Sequence, residues 1–402
     1  VNWRKNLWTL WVGCIISGSC YTMLLPFLPL YLYDLGTPAA TISLWSGLIF
    51  AATFFVSTIM SPFWGRQADK AGKKLMLLRA GFSLATVYLL GAFVTSPLQL
   101  FGVRLLQGFA TGFVPAALAI VSASVPEEKM GFSLGLMQAA TLTGSIIGPL
   151  FGGLLAHYFG IRMSFVVAAA AMLFGTMAVG LLVKEPARSG EVQSGSMVND
   201  IKISLNNRGL CIALFLMLIT QMVVMLLQPL ITLHVAALQG RMEGAVLTSG
   251  VIFSLAGIAG AIAAPLWGRV GQKVGLGKIL VVVFTGAGIF NGSLFFTETI
   301  WGFALLQFLF GLFIAGIQPT ANTMAVFNSD AAFRGRAFGL MMSASQLGSM
   351  LGPLLGGIIS TWIGIKLTFL YAGLFLISMG ILLWSRYNWG NIRVSARQSS
   401  SM

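Results

Sequence analysis

Twelve apolar stretches, each long enough to cross a hydrocarbon layer of ~30 Å as a helix, follow one another along the chain with short polar breaks between them. They fall at roughly 8–33, 42–64, 75–94, 100–123, 132–156, 163–183, 209–236, 244–267, 278–296, 300–327, 337–362 and 367–385, with ends set to about 2–4 residues. No soluble domain can bury so many fully apolar helices. Only 8% of the 402 residues are charged, against about 25% in soluble proteins. The expected fold class is an all-α membrane protein: twelve transmembrane helices in two pseudo-symmetric six-helix bundles. The first stretch has no small-residue cleavage site and is expected to be a span, not a removable leader.

The net charge of +14 is read by position. With twelve spans both termini share a side, and 20 of the 24 Lys and Arg fall there, including Arg66, Lys70, Lys73, Lys74, Arg269, Lys273, Arg334 and Arg336. Arg162, Arg241 and Lys366 fall on the other side, and Arg104 lies inside a span. The positive-inside rule then makes both termini cytoplasmic. Cys14, Cys20 and Cys211 show no pairing or metal-ligand spacing. No cofactor, metal centre or nucleic-acid partner is expected.

An internal repeat divides the chain. WGRQADKAGKK from Trp64 returns as WGRVGQKVGLGK from Trp267, and GSIIGPLFGG from Gly144 as GSMLGPLLGG from Gly348. Eight of the 13 prolines pair at an offset of 203 or 204: Pro26 with Pro229, Pro62 with Pro265, Pro115 with Pro319, Pro149 with Pro353. Each costs its helix a backbone bond, so paired prolines predict kinks repeated in a shared architecture. The expected organisation is a half over 1–183, a polar cytoplasmic linker over 184–208, and a half over 209–402 with a short tail. Two such halves are what an alternating-access carrier needs, with one rocking against the other about a midplane site. An enzyme would need clustered His and carboxylates near the interface, and two His with no clustered intramembrane acid do not supply them.

Three motifs carry mechanism. Between spans 2 and 3 runs Gly65-Arg66-Gln67-Ala68-Asp69-Lys70-Ala71-Gly72-Lys73-Lys74. Its glycines are expected to permit a tight turn and close approach, and Asp69 to cap or pair with a neighbouring helix end. Span 4 carries Arg104-Leu105-Leu106-Gln107-Gly108. A guanidinium in a span costs at least ~2.5 kcal/mol unless it meets water or a partner, which makes Arg104 a functional candidate. Its repeat counterpart is Gln307, so the fold itself does not require the charge. Span 5 carries Gly144, Gly148, Pro149, Gly152 and Gly153, a flat face for close packing with a proline-centred bend.

At these residues the chain resembles the major facilitator superfamily, whose G-x-x-x-D-x-x-G-[RK]-[RK] loop it matches from Gly65 to Lys74. The R-x-x-Q-G run and the glycine-proline run resemble those of the drug:proton antiporter branch, the latter associated with export. PFLPLY (Pro26 to Tyr31), SPFWGRQADKAGKKLMLLRA (Ser61 to Ala80) and GFVPAA (Gly112 to Ala117) are similar to multidrug exporters of that branch. The resemblance implies that Asp69 latches the outward-facing state against the start of span 11, near Arg334 or Arg336. The second-half copy has Gln272 in place of Asp69, so the latch is expected to be one-sided.

All ten carboxylates lie outside the middle of any span. Exporters of cationic drugs commonly hold an embedded acid, and this chain departs from that pattern. A cation beside Arg104 without a counter-charge is penalised, so neutral, zwitterionic or anionic cargo is expected. Proton coupling then falls to another group: Asp34 at the outer end of span 1, or His157 and His234 at the outer ends of spans 5 and 7. Polar residues at helical spacing are candidates to line the cavity, namely Gln138 with Thr141, Gln221 with Gln228, and Gln318 with Asn322, beside Gln107 and Gln307. Tyr21, Phe27, Tyr31 and Trp45 are candidates to stack on a ligand.

The expected function is proton-coupled efflux of small amphiphilic compounds across the bacterial inner membrane by a monomer, with small-molecule substrate, protons and lipid bilayer as partners. The alternative is a dedicated exporter of an endogenous anionic metabolite, such as a carboxylate siderophore.

Overall fold

The computed structural model describes residues 2–185, 202–204, 206–240, 244–329 and 333–386. Among them the chain is all helix: α1 (Trp3–Thr22), α2 (Leu28–Asp34), α3 (Ile42–Ala71), α4 (Lys73–Ala92), α5 (Pro97–Phe109), α6 (Phe113–Ser124), α7 (Glu127–Phe159) and α8 (Ile161–Leu182). There follow α9 (Arg208–Gln239), α10 (Ala245–Val274), α11 (Leu276–Ser293), α12 (Ile300–Ile314), α13 (Ile317–Phe327), α14 (Arg334–Ile363) and α15 (Ile365–Arg386). Most of the linker expected over 184–208 lies outside the described residues.

Among the described residues ten helices are long and apolar enough to cross a membrane, against the twelve expected. The two regions that fall short are the first and the eleventh stretches. The first is split at Met23–Phe27, around Pro26, into α1 and the seven-residue α2. The eleventh, α14, is a continuous 30-residue helix whose Gly and Ser content lowers its hydropathy.

The paired prolines do not all act alike. Pro26 breaks its span, whereas Pro229 lies inside the continuous α9. The fourth and tenth spans both break, and Pro115 and Pro319 fall in the first turns of α6 and α13, where no backbone donor is lost. Helix starts repeat as well. Ser96 Oγ accepts from the Gln99 amide at the start of α5, and Thr299 Oγ1 from the Gly302 amide at the start of α12, satisfying otherwise orphaned N–H groups.

By packing, the described chain separates into two compact units. One comprises Val1–Ser194, Val224–Ser254 and Ser349–Trp362, and the other Gly195–Val223, Leu255–Gly348 and Ile363–Met402. The first therefore holds α1–α8 together with stretches of α9, α10 and α14.

Within that first unit the glycine run of α7 acts as its pattern predicts. A Cβ on Gly144 or Gly148 would strike the backbone or side chains of α1 at Ile15, Ser19 and Thr22, and one on Gly152 would strike Met23 just beyond it. In lipid no hydrophobic effect drives helices together, so this close fit supplies dispersion contacts instead. The same turn meets α10: Gly250 packs on the Pro149 carbonyl and Gly153 on Leu247. The repeat gives the matching crossing, with Gly47 of α3 on the Pro353 carbonyl and Gly357 on Ser43.

The motif after span 2 differs from expectation. Gly65 is helical, inside α3, with nothing near where a Cβ would stand, so it makes no turn and no close approach. The turn rests on Gly72 alone, at φ +107°.

Candidate functional site around Arg104

The R-x-x-Q-G run lies on α5, and each of its three named residues has a separate job. Gly108 lets α3 approach so closely that a Cβ would meet Thr53 and Val56. Thr53 Oγ1 then donates to the Arg104 carbonyl at 3.1 Å, fixing the register of the two helices. Gln107, one turn on, turns its Oε1 to Arg104 and accepts from Nη1 at 2.8 Å.

Arg104 is 3% exposed and Gln107 2%. Tyr21 of α1 and Tyr88 of α4 are near enough to interact with the guanidinium charge, and Gln107 lies beside Tyr88. The Nε and Nη2 atoms of Arg104 are buried and have no partner in the chain. The described acidic side chains, those of Asp34, Glu185 and Glu298, belong to helix ends and connections. A buried donor left unpaired costs ~1–3 kcal/mol, and more when charged.

Below the cluster, between α5 and α6, the chain turns at Gly112 with φ +120°. The carbonyls freed there are collected by residues the sequence reading passed over. Arg79 stacks on Trp64 with its guanidinium carbon 3.6 Å from the ring centre, and donates to the carbonyls of Phe109 at 3.2 Å and Thr111 at 2.9 Å. Trp64 Nε1 also donates to Phe109, at 2.9 Å. In the repeat, Trp267 Nε1 donates to Leu312 at 2.7 Å, and Val282 occupies the place of Arg79. The indole bond is the detectable signal, since both tryptophans open the repeated motif.

The other candidates scatter. Tyr21 is half-buried, with its ring edge-on to Phe54 at 6.3 Å. Phe27 and Tyr31 are buried against Phe165, so neither offers a free stacking face. Gln138 is exposed, and the hydroxyl of Thr141 is tied to its own helix at Met137. Gln221 and Gln228 are half-buried on α9, with Gln228 Oε1 unpartnered. Gln307 is 1% exposed with an unpartnered Nε2, Gln318 is exposed, and Asn322 is half-buried. The side chains of Asp69 and Arg334 lie outside the described residues, so the expected latch does too. Arg336 is exposed and holds its guanidinium 4.8 Å from the Phe333 ring centre.

Asp34 and His157 come together in one cavity of about 400 Å³, walled by the end of α2, the α7–α8 turn and the start of α10. Partial burial raises the Asp34 carboxyl above its ordinary value.

A multispan helical bundle with an internal sequence repeat and a buried arginine among polar side chains is the architecture of a secondary transporter. The chain belongs to the Major Facilitator Superfamily, which it matches over residues 10–260 and 210–400. The multidrug resistance protein MdtG of Salmonella schwarzengrund is 34% identical over 396 residues, covering 98% of this chain and 96% of that protein. MdtG of Salmonella typhimurium matches with the same identity and coverage. Among solved structures, the nucleoside transporter NupG superposes with a TM-score of 0.76 at 15% identity, over 96% of this chain and 100% of that one. A bacterial homologue of the human lysosomal transporter Spinster, in an inward-facing and unoccupied conformation, gives 0.77 at 14%, over 95% and 96%. These likenesses show the shared fold.

Proposed function

We propose that this chain is a proton-coupled efflux carrier of the bacterial inner membrane, expelling small amphiphilic compounds, neutral or anionic, by alternating access. The observation that carries the reading is Arg104, buried in α5 with no acidic partner among the described residues. A cationic cargo beside it would meet an uncompensated like charge. The relatives named as multidrug resistance proteins support the direction and breadth of transport. In this reading α1 with α2, and α14, cross the bilayer as well, giving twelve spans in halves 1–183 and 209–402, with 184–208 as linker and both termini cytoplasmic. The monomer is the working unit. Arg104 orients cargo, Asp34 loads protons, and Asp69 latches the outward-facing state against Arg334 or Arg336.

Flux in proteoliposomes under an imposed pH gradient, with matched anionic, neutral and cationic solutes, tests the reading. Export driven by the gradient and weakest for cations is expected. Flux indifferent to the gradient would sink the antiport mechanism, and a preference for cations would sink the cargo class. Arg104→Ala should abolish transport while leaving a folded protein.

A further inference from the structure

The unpartnered atoms of Arg104 are not an arbitrary pair. With Nη1 committed to Gln107 Oε1 at 2.8 Å, the donors left over are Nε and Nη2. These two N–H groups point the same way along one edge of the guanidinium plane, spaced to meet two oxygens of a carboxylate at once. Gln107 therefore does more than satisfy a hydrogen bond. By holding the Nη1 side it fixes the plane and presents the opposite fork.

Among the described residues no carboxylate fills that fork. The sequence puts all ten outside the middle of any span, and the acidic side chains described in the structure belong to helix ends and connections. Nor does the fold require the charge, since Gln307 stands at the repeated position, equally buried. The flanking Tyr21 and Tyr88 supply hydroxyls but no negative charge.

We propose that the Nε/Nη2 edge of Arg104, held in plane by Gln107 and flanked by Tyr21 and Tyr88, is the receptor for a carboxylate group carried by the cargo. The inference rests on the carrier reading above and narrows its substrate class to amphiphilic carboxylates. The cargo brings the counter-charge that the membrane interior lacks. Neutralising the guanidinium in a desolvated site rewards an anion and leaves an ester or amine without compensation.

The test uses the full chain and one amphiphile in three forms of similar size: carboxylate, methyl ester and primary amine. Binding is followed by quenching of tryptophan fluorescence in detergent, and flux in proteoliposomes. The carboxylate is expected to bind about tenfold more tightly than the ester, a fork of charge-assisted bonds being worth at least that factor. In Arg104→Gln the acid-to-ester ratio falls to about one. In Arg104→Lys, which keeps the charge as a point donor without the fork, it falls to an intermediate value. Equal binding of acid and ester by the native protein, or a ratio that survives in Arg104→Gln, overturns the proposal. Thermal melts and gel filtration check each variant's fold. If Arg104→Gln does not fold, an unchanged ratio in Arg104→Lys overturns the fork. Gradient-driven flux of acid and ester alike defeats the carboxylate receptor and leaves efflux standing. Carboxylate-selective binding without gradient-driven flux does the reverse.

Discussion

Ser254 of α10 donates a hydrogen bond of 2.6 Å to the carbonyl of Ile146 on α7, 108 residues away in the chain. The acceptor lies in the turn that the Pro149 ring loosens, so a side chain from another helix supports backbone the proline disturbs. The repeat does not copy this bond, because the residue at the matching place in α3 is Ala51. Of the two crossings, only the one between α7 and α10 has this serine. Ser254→Ala should cost about 0.6–1 kcal/mol, the usual worth of an interhelical bond in a membrane. A thermal melt in detergent checks it, and a melt identical to the native protein's would show that the bond carries nothing.

Gly47 and Gly250 occupy equivalent places on Pro353 and Pro149, and at each the obstacle to a Cβ is a backbone carbonyl, which cannot rotate away. Gly47→Ala and Gly250→Ala should each destabilise by about 1–3 kcal/mol, or separate the crossing helices and alter transport. Gly135, helical and with open space around it, is the control: Gly135→Ala should be neutral or slightly stabilising. Parallel melts and flux measurements on the three variants decide the matter, and a harmless Gly47→Ala would argue against so close a crossing.

The start of α4 lacks a cap of its own, since Gly72 has no side chain. Glu185, more than 110 residues on, supplies one by accepting from the amides of Lys73 at 2.7 Å and Lys74 at 3.2 Å. Its negative charge also suits the positive end of the helix. Glu185→Ala should lower stability by about 1 kcal/mol and Glu185→Gln by less, since the amide keeps one accepting oxygen. Calorimetry on the purified variants distinguishes them, and equal melting temperatures for all three proteins would remove the cap.

Asp34 predicts a pH dependence with a definite sign. Burial raises its carboxyl pKa, so this conformation favours the protonated form. The stabilisation is present at low pH and is lost as pH rises through the raised value. Asp34→Asn, neutral throughout, should remove that component, so the stability difference between native and variant proteins should vary with pH across and just above the usual carboxylate range. The group is largely exposed, so the effect is small and salt-sensitive. A pH-independent difference would show that burial does not raise the Asp34 carboxyl in this conformation.

Much of this was legible in the chain. Apolar length marked ten of the twelve expected spans, offset prolines the repeat, and the R-x-x-Q-G run the buried arginine with its amide partner one turn away. These features are local: helical spacing places Gln107 beside Arg104 whatever else surrounds them. Span 1, expected as one membrane-length stretch, is broken at Met23–Phe27 around Pro26: hydropathy reports transfer into lipid and not continuity of backbone, and only the proline marked the place. Gly65 was misjudged because a glycine in a turn motif reads the same whether or not the helix runs past it.

By itself the sequence determined that this is a bundle of membrane helices with an internal repeat and a guanidinium, that of Arg104, well inside a span. Only the tertiary structure decided which partners the small and polar side chains took. Gly148 faces α1 while Gly153, five residues later, faces α10; Arg79 was free to be one more basic residue until the break in the fourth span offered it two carbonyls. The physical reason is that in lipid neither glycine nor a buried donor has a default partner. Composition fixes that they must be packed or satisfied, and the three-dimensional arrangement alone fixes by what.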